Sequence, residues 1–354
     1  MLALVTDAFG GRGGIAQYNR DFLSALAQGD APSPIFVLPR RAPDPVLPPP
    51  GIVQAPARFS RIAYAFHALR TARADVVFCG HLYMVPLAAL LARLKGAKLI
   101  VQVHGVEAWT RPSAMQRAAV EAADLVLCVS RDTRARVLEW AALAPERVVV
   151  VPNTVSEIFC PGDGASLRAK WNLNGRRVLL TVGRIDSCDR YKGHDRVIAA
   201  LPYLVAQGHD VVYVAIGEGD DIERLKKIAA DIGVDDRVRF MGAVAPETLV
   251  EAYRAADLFV MPSTGEGFGI VYLEAMACGT PALGLAAGGA VDALADGELG
   301  IIANEDDLAA TIGRELRSPK RAAGDLALAT RARFGWQAFA AQIDAMRTRL
   351  LEAA

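Results

Sequence analysis

The sequence has no run of about 18 uncharged apolar residues, so nothing in it reads as a membrane span. It also lacks a Cys-x-x-Cys pair. Its five cysteines, at 79, 128, 160, 188 and 278, are scattered and odd in number, which points away from a zinc site and from a disulfide framework. Three of them lie in apolar runs and read as small core residues, and a reducing, cytoplasmic setting is the default expectation. No Asp-x-Asp stands at the end of a candidate strand, so no metal is assigned. The 39 basic and 39 acidic residues cancel, which argues against a nucleic-acid binder. No signal peptide is expected, because the apolar run at 1–5 meets Asp7 at once and reads as a first strand.

What is present is ample core material: 53% of the 354 residues are hydrophobic and 22% are charged. Disorder is excluded at that balance. At roughly 100–200 residues per domain, two domains are expected. Short Val-, Ile- and Leu-rich runs alternate with helical patterns. They fall at 2–6, 35–38, 76–79, 99–103, 125–129 and 148–151, then at 178–182, 211–216, 238–241, 258–261, 281–285 and 300–302. Such runs are the mark of parallel strands covered on both faces. The predicted fold is α/β, with two Rossmann-like doubly wound domains. The N-terminal domain is expected over 1–152 and the C-terminal one over 153–333, with a helix over 334–354 packing back on the first. The join is read at Val151-Pro152-Asn153-Thr154, a turn signal. Residues 39–50 form a proline-rich loop. Residues 1–152 carry 17 basic and 11 acidic residues, which suits an anionic partner for that half or is an ordinary solvated surface.

Four features carry chemistry. Gly10-Gly11-Arg12-Gly13-Gly14 lies between the first strand and a helix, where backbone N–H groups and a helix start favour a phosphate. A flexible turn is the plainer reading. Gly183-Arg184 and Lys192-Gly193 supply two cations for a diphosphate, unless they are ordinary surface charges. Glu266 is expected where a helix begins, after a strand and at the edge where open α/β sheets bind ligands, and Glu274 lies within an otherwise uncharged run at 269–278. A buried carboxylate needs hydrogen-bond donors, and paired sugar hydroxyls are suitable ones. His104 follows the run at 99–103, where it can meet a ligand or serve structure alone.

Taken together, these residues resemble glycosyltransferase family 4, retaining enzymes of the GT-B fold, in which the two domains face a central cleft. Pro262-Ser263, Glu266-Gly267-Phe268-Gly269, Glu274-Ala275-Met276-Ala277-Cys278-Gly279 and Pro281 match the family's Glu-x7-Glu region. Gly217-Glu218-Gly219 stands at its expected earlier point. The likeness runs from about residue 2 to 339 and is strongest from 178 to 281. By this resemblance Gly13, Gly14 and Gly183 would approach the diphosphate, and Arg184 and Lys192 would neutralise it. Glu266 would hold the donor sugar and Glu274 the ribose. The backbone at Phe268, Gly269 and Ile270 would cap the phosphates, and His104 would sit by the transferred sugar. The insert at 185–191 is longer than in many members.

Arg190-Tyr191-Lys192-Gly193-His194-Asp195 resembles bacterial mannosyltransferases of polysaccharide assembly, which implies GDP-mannose as donor, with a UDP-sugar as the alternative. The implied acceptor is a glycan or a polyprenyl-diphosphate-linked glycan. No cofactor is implied. Read as a helix, 59–73 puts Phe59, Ile62, Phe66 and Leu69 on one face with Arg58, Arg61 and Arg70 beside it and Arg73 intruding. It reads as a core-facing helix with snorkelling arginines, or as one resting on an anionic membrane. An NADP-dependent oxidoreductase or a sugar-nucleotide epimerase is the rival class. The oxidoreductase would use Gly11-Arg12-Gly13, with Pro39-Arg40-Arg41 suiting NADP, but leave Glu266 and Glu274 unexplained. The epimerase, or a catalytically silent nucleotide-sugar binder, shares the fold, and Glu266, Arg184 and Lys192 favour an active transferase over both.

Overall fold

Apolar runs too short for helices become the strands of two parallel sheets. The computed structural model describes residues 1–28, 34–42, 46–57, 60–71, 74–318 and 322–352. It divides into two compact units, Met1–Thr154 with Gln337–Ala354, and Val155–Trp336.

The first unit holds β1 (Leu2–Val5), β2 (Ile35–Pro39), β3 (Ile52–Gln54), β4 (Val76–Cys79), β5 (Lys98–Val103), β6 (Leu125–Cys128) and β7 (Val148–Val150). Their order is β3-β2-β1-β4-β5-β6-β7, and every pairing is parallel. The chain winds outward from β1 to β3, then returns to β4 on the other side of β1. The second unit repeats the plan with β8 (Arg177–Val182), β9 (Val211–Ile216), β10 (Val238–Phe240), β11 (Leu258–Met261), β12 (Ala282–Leu285) and β13 (Ile301–Ala303). The order there is β10-β9-β8-β11-β12-β13, again parallel. All six residues of β9 are buried, as a strand covered on both faces should be.

Buried Asp257 pins the two central strands of the second sheet. It precedes β11 and accepts the Val178 N–H of β8 at 2.9 Å, along with Arg168 at 2.5 Å and Arg177 at 3.2 Å. A buried carboxylate with these partners holds the alignment of β8 with β11, and so of the loops at their far ends. In the C-terminal helix, Trp336–Glu352, the side chains of Phe339, Ile343 and Met346 are buried, and the Phe339 ring meets Tyr18 edge-on at 6.0 Å in the first unit.

Two readings of the sequence need correction. Ile52–Gln54 is a strand that the proline-rich loop hid. The helix Arg61–Arg70 buries Tyr64 and Ala68, not the face bearing Ile62, Phe66 and Leu69, which are 84%, 55% and 46% exposed. Arg58, Phe59 and Arg73 lie outside the described residues. Among the described residues no helix is long and apolar enough to cross a membrane. Cys79, Cys128 and Cys278 are buried, and all five cysteines are free.

Candidate active site

In the second unit, β8 and β11 are neighbours, and the chain leaves their carboxyl ends in loops that meet. This is the point where strand order reverses, and in open α/β sheets it is where ligands bind. After β8 come Gly183 and Arg184; after β11 comes Glu266. Lys192 Nζ lies 2.8 Å from Glu266 Oε1, with both side chains largely covered. Gly193 packs on Pro262, and the Thr264 N–H donates to the Tyr191 carbonyl at 2.9 Å, so the two loops are tied by backbone as well as by charge.

The insert at 185–191 forms a tight turn leading into a 3-10 segment, Ser187–Lys192. It buries Asp189, whose carboxylate lies 2.9 Å from the largely exposed Arg184 guanidinium. Asp186 adds a second carboxylate at 3.8 Å. Asp186, Cys188 and Asp189 place three potential ligand atoms within 4.8 Å of one another, but both carboxylates also serve Arg184. The Gly217-Glu218-Gly219 turn closes over this loop. At Gly217 a Cβ would collide with the Gly183 carbonyl, so a side chain there would displace Gly183 and Arg184. Buried His194 bonds the Tyr213 hydroxyl at 2.8 Å, and burial lowers its pKa to about 4, which leaves it a neutral structural group.

Glu266 does not begin a helix. It lies in the loop before Gly269, whose φ of 91° caps the helix Ile270–Ala277. Phe268 is buried edge-on against Phe334. The Glu266 carbonyl accepts the Gly289 N–H at 2.7 Å, which braces the loop from the far side. Ile270 and Val271 therefore start a helix whose first N–H groups point toward the Glu266 loop, a setting suited to phosphate oxygens. Glu274 lies further along the same helix and accepts the hydroxyl of buried Tyr253 at 2.7 Å. Burial, opposed by that bond, pushes its carboxyl up to about 7. Tyr253 was not legible as a site residue, nor were Asp189 and the Gly288-Gly289 pair. Only the last left a signal, as two glycines following a strand.

In the first unit, Gly13 and Gly14 follow β1 and open the helix Gly14–Gln28, with open space where side chains would start. Arg20 steadies the loop from below, donating to the Ala8 and Gly11 carbonyls at 3.0 and 2.7 Å. His104 follows β5. Its Nε2 lies 3.0 Å from the Gly80 carbonyl, which can only accept, so Nε2 carries the proton and Nδ1 is left as an acceptor. Burial lowers the His104 pKa, so the ring is neutral. Thus Gly13, Gly14 and His104 share the carboxyl edge of the first sheet. Gly183, Arg184, Lys192, Glu266, Phe268, Gly269 and Ile270 share that of the second, and Glu274 lies a turn further along the helix that Ile270 starts.

Two doubly wound units, one carrying this cluster of cations and carboxylates at its switch point, define the GT-B class. Profiles of Glycosyltransferase Family 4 and of Glycosyl transferases group 1 match residues 12–178 and 164–326. A GDP-mannose-dependent alpha-(1-6)-phosphatidylinositol monomannoside mannosyltransferase of Mycolicibacterium smegmatis is 34% identical over 67% of this chain and 66% of its own length. A D-inositol 3-phosphate glycosyltransferase of Frankia alni is 37% identical over 61% of this chain and 56% of its own. The chain thus spans somewhat less than two thirds of these relatives. The solved structure of HepE from Anabaena, in complex with UDP and glucose, superposes with a TM-score of 0.79 at 21% identity, covering 99% of this chain and all of that one. The chain belongs to the family 4, group 1 glycosyltransferases.

Proposed function

We propose that this chain is a retaining hexosyltransferase that moves mannose from GDP-mannose onto a hydroxyl of a glycan or polyprenyl-diphosphate-linked glycan in cell-surface polysaccharide synthesis. The observation that carries this reading is the Lys192–Glu266 pair, held next to Arg184 and the start of the helix Ile270–Ala277. On donor binding the pair separates. Lys192 and Arg184 turn to the diphosphate, and Glu266 accepts hydrogen bonds from the hexose hydroxyls. Glu274 accepts from the ribose hydroxyls, and Gly13 and Gly14 approach the phosphates with their backbone. Neutral His104 accepts a hydroxyl hydrogen at Nδ1.

In transfer, the bond from the anomeric carbon to the phosphate oxygen breaks, and a bond to the acceptor oxygen forms on the same face. The departing phosphate oxygen takes the acceptor's proton. The protein's share is positioning and stabilising the negative charge that grows on the leaving diphosphate. Arg184 and Lys192 supply that stabilisation, and neither a metal nor a cofactor is assigned to it.

The mannosyltransferase relative supports GDP-mannose as donor and a lipid-linked acceptor. The exposed Ile62, Phe66 and Leu69, flanked by Arg61 and Arg70, support peripheral contact with an anionic membrane at its cytoplasmic face. Thermal stabilisation by GDP, UDP, ADP and NADP tests the donor. A ligand at 100 times its Kd stabilises by about 2.7 kcal/mol. Selective stabilisation by GDP is expected; selective stabilisation by UDP would replace the donor, and by NADP would replace the function.

A further inference from the structure

Three buried tyrosines donate their hydroxyls to backbone carbonyls: Tyr18 to Val151, Tyr64 to Leu38 and Tyr272 to Met261. A carbonyl satisfies a buried phenol without bringing a charge into the core. Tyr253 is different. Its hydroxyl donates to Glu274 Oε2 at 2.7 Å, so a fully buried side chain faces the one charged group of the helix Ile270–Ala277.

Tyr253 is itself held from several sides. It lies on the buried face of the helix Pro246–Ala255. Phe159 meets its ring edge-on at 5.8 Å, and Phe259 of β11 lies at the same distance, tilted. The Thr280 hydroxyl donates to the Tyr253 carbonyl at 2.6 Å. The helix ends at Ala256, next to the Asp257 that pins β8 to β11. Burial pushes the Tyr253 phenol well above its ordinary value, so it stays protonated and remains a donor.

The terminal torsion of a glutamate is broad, so its carboxylate plane turns unless a partner fixes it. Tyr253 is that partner. It holds Oε2, while among the described residues no donor reaches Oε1, and Glu274 is only half-buried. One oxygen is anchored in the core and the other is left for a donor from outside the fold. A carboxylate arranged in this way is an acceptor fixed in place before its ligand arrives, and such a group binds without the cost of being ordered.

We infer that Tyr253 is a positioning residue for the donor: it fixes the Glu274 carboxylate so that Oε1 meets the ribose hydroxyls, and it thereby sets the preference for a ribonucleotide. The inference rests on the reading of Glu274 as the ribose contact. Calorimetry tests it on the full chain with GDP and UDP, each beside its dideoxyribose analogue, which lacks both ribose hydroxyls. The parent should bind its preferred ribonucleotide about 10-fold or more tighter than the analogue. Tyr253→Phe keeps the ring and its packing. It should bring that ratio to within about 2-fold by weakening the ribonucleotide, and it should not alter the ratio further when added to Glu274→Ala. A merely structural loss would weaken ribonucleotide and analogue alike and leave the ratio where it was. If Tyr253→Phe melts too low to titrate, Glu274→Asp tests the same contact from the other side. Its shorter side chain cannot reach both the Tyr253 hydroxyl and the ribose, so the ratio should fall there too. A ratio kept in Tyr253→Phe or in Glu274→Asp but lost in Glu274→Ala overturns the positioning role and leaves Glu274 as the ribose contact. A parent that binds a nucleotide and its analogue equally overturns the reading of Glu274, and the role of Tyr253 with it.

Discussion

Lys192 Nζ and Glu266 Oε1 stand 2.8 Å apart with side chains only 13% and 12% exposed, so the ligand-free site holds its cation and its carboxylate against each other. A substrate carrying both a diphosphate and hydroxyl groups offers each a separate partner. Glu266→Gln should therefore lower transfer by about 10²–10³-fold, because the sugar contact weakens, while nucleotide affinity holds or rises as Lys192 is released. Lys192→Ala should lower both. Calorimetry with GDP beside turnover measurements checks the split; equal losses of affinity in the two variants would contradict it.

Glu274 gives a dependence on pH. Its carboxyl is raised from the ordinary 4.5 to about 7 by burial. A raised folded-state value means that the stability it contributes is full below the unfolded value and is lost as pH rises through the folded one. The ligand-free protein should lose stability between pH 4.5 and 7 from this group. Glu274→Gln, which can still accept from Tyr253, should be more stable than the parent at pH 8 by about 1–3 kcal/mol and no different at pH 4. Ribose hydroxyls donate to the ionised form, so nucleotide binding should tighten as pH rises through 7 and lose that dependence in the variant. Denaturant titrations and calorimetry across the range check both signs.

The glycines separate role from fold. Gly14 opens a helix with nothing within 4 Å of where a Cβ would lie, so Gly14→Ala should not lower stability. A fall of about 10-fold or more in activity would then report lost backbone approach to the diphosphate. Gly217→Ala meets the Gly183 carbonyl and should lower stability and activity together. Melting curves beside rates distinguish the two.

Much of this arrangement was legible in the sequence because buried parallel strands announce themselves as short β-branched runs, and site residues gather where such runs end. Glu274 stood out as a charge in an otherwise apolar helix. Ile52–Gln54 stayed hidden because an edge strand of three residues with half-exposed Val53 leaves no pattern behind a proline-rich loop. The helix Arg61–Arg70 was ambiguous because Ile62, Phe66 and Leu69 have helical spacing whether they face core or solvent; only packing decides. Tyr253 and Asp189 act through contacts across the fold that no local spacing encodes.

Charge compensation by Arg184 and Lys192 makes a further claim. Transfer should survive excess chelator, and added magnesium should leave the rate within about 2-fold. Removing Arg184 should cost about 10²-fold or more, and magnesium should not restore it. Rates measured with and without chelator decide; loss of activity on chelation would point to the Asp186, Cys188 and Asp189 group as a metal site.

The most direct test of the central claim is to incubate the chain with GDP-mannose and a lipid-linked acceptor and read the product's anomeric configuration by NMR. The account predicts GDP release matched by a mannoside with the donor's configuration, lost in Glu266→Ala. An inverted product, or no transfer from any nucleoside diphosphate sugar, would contradict it.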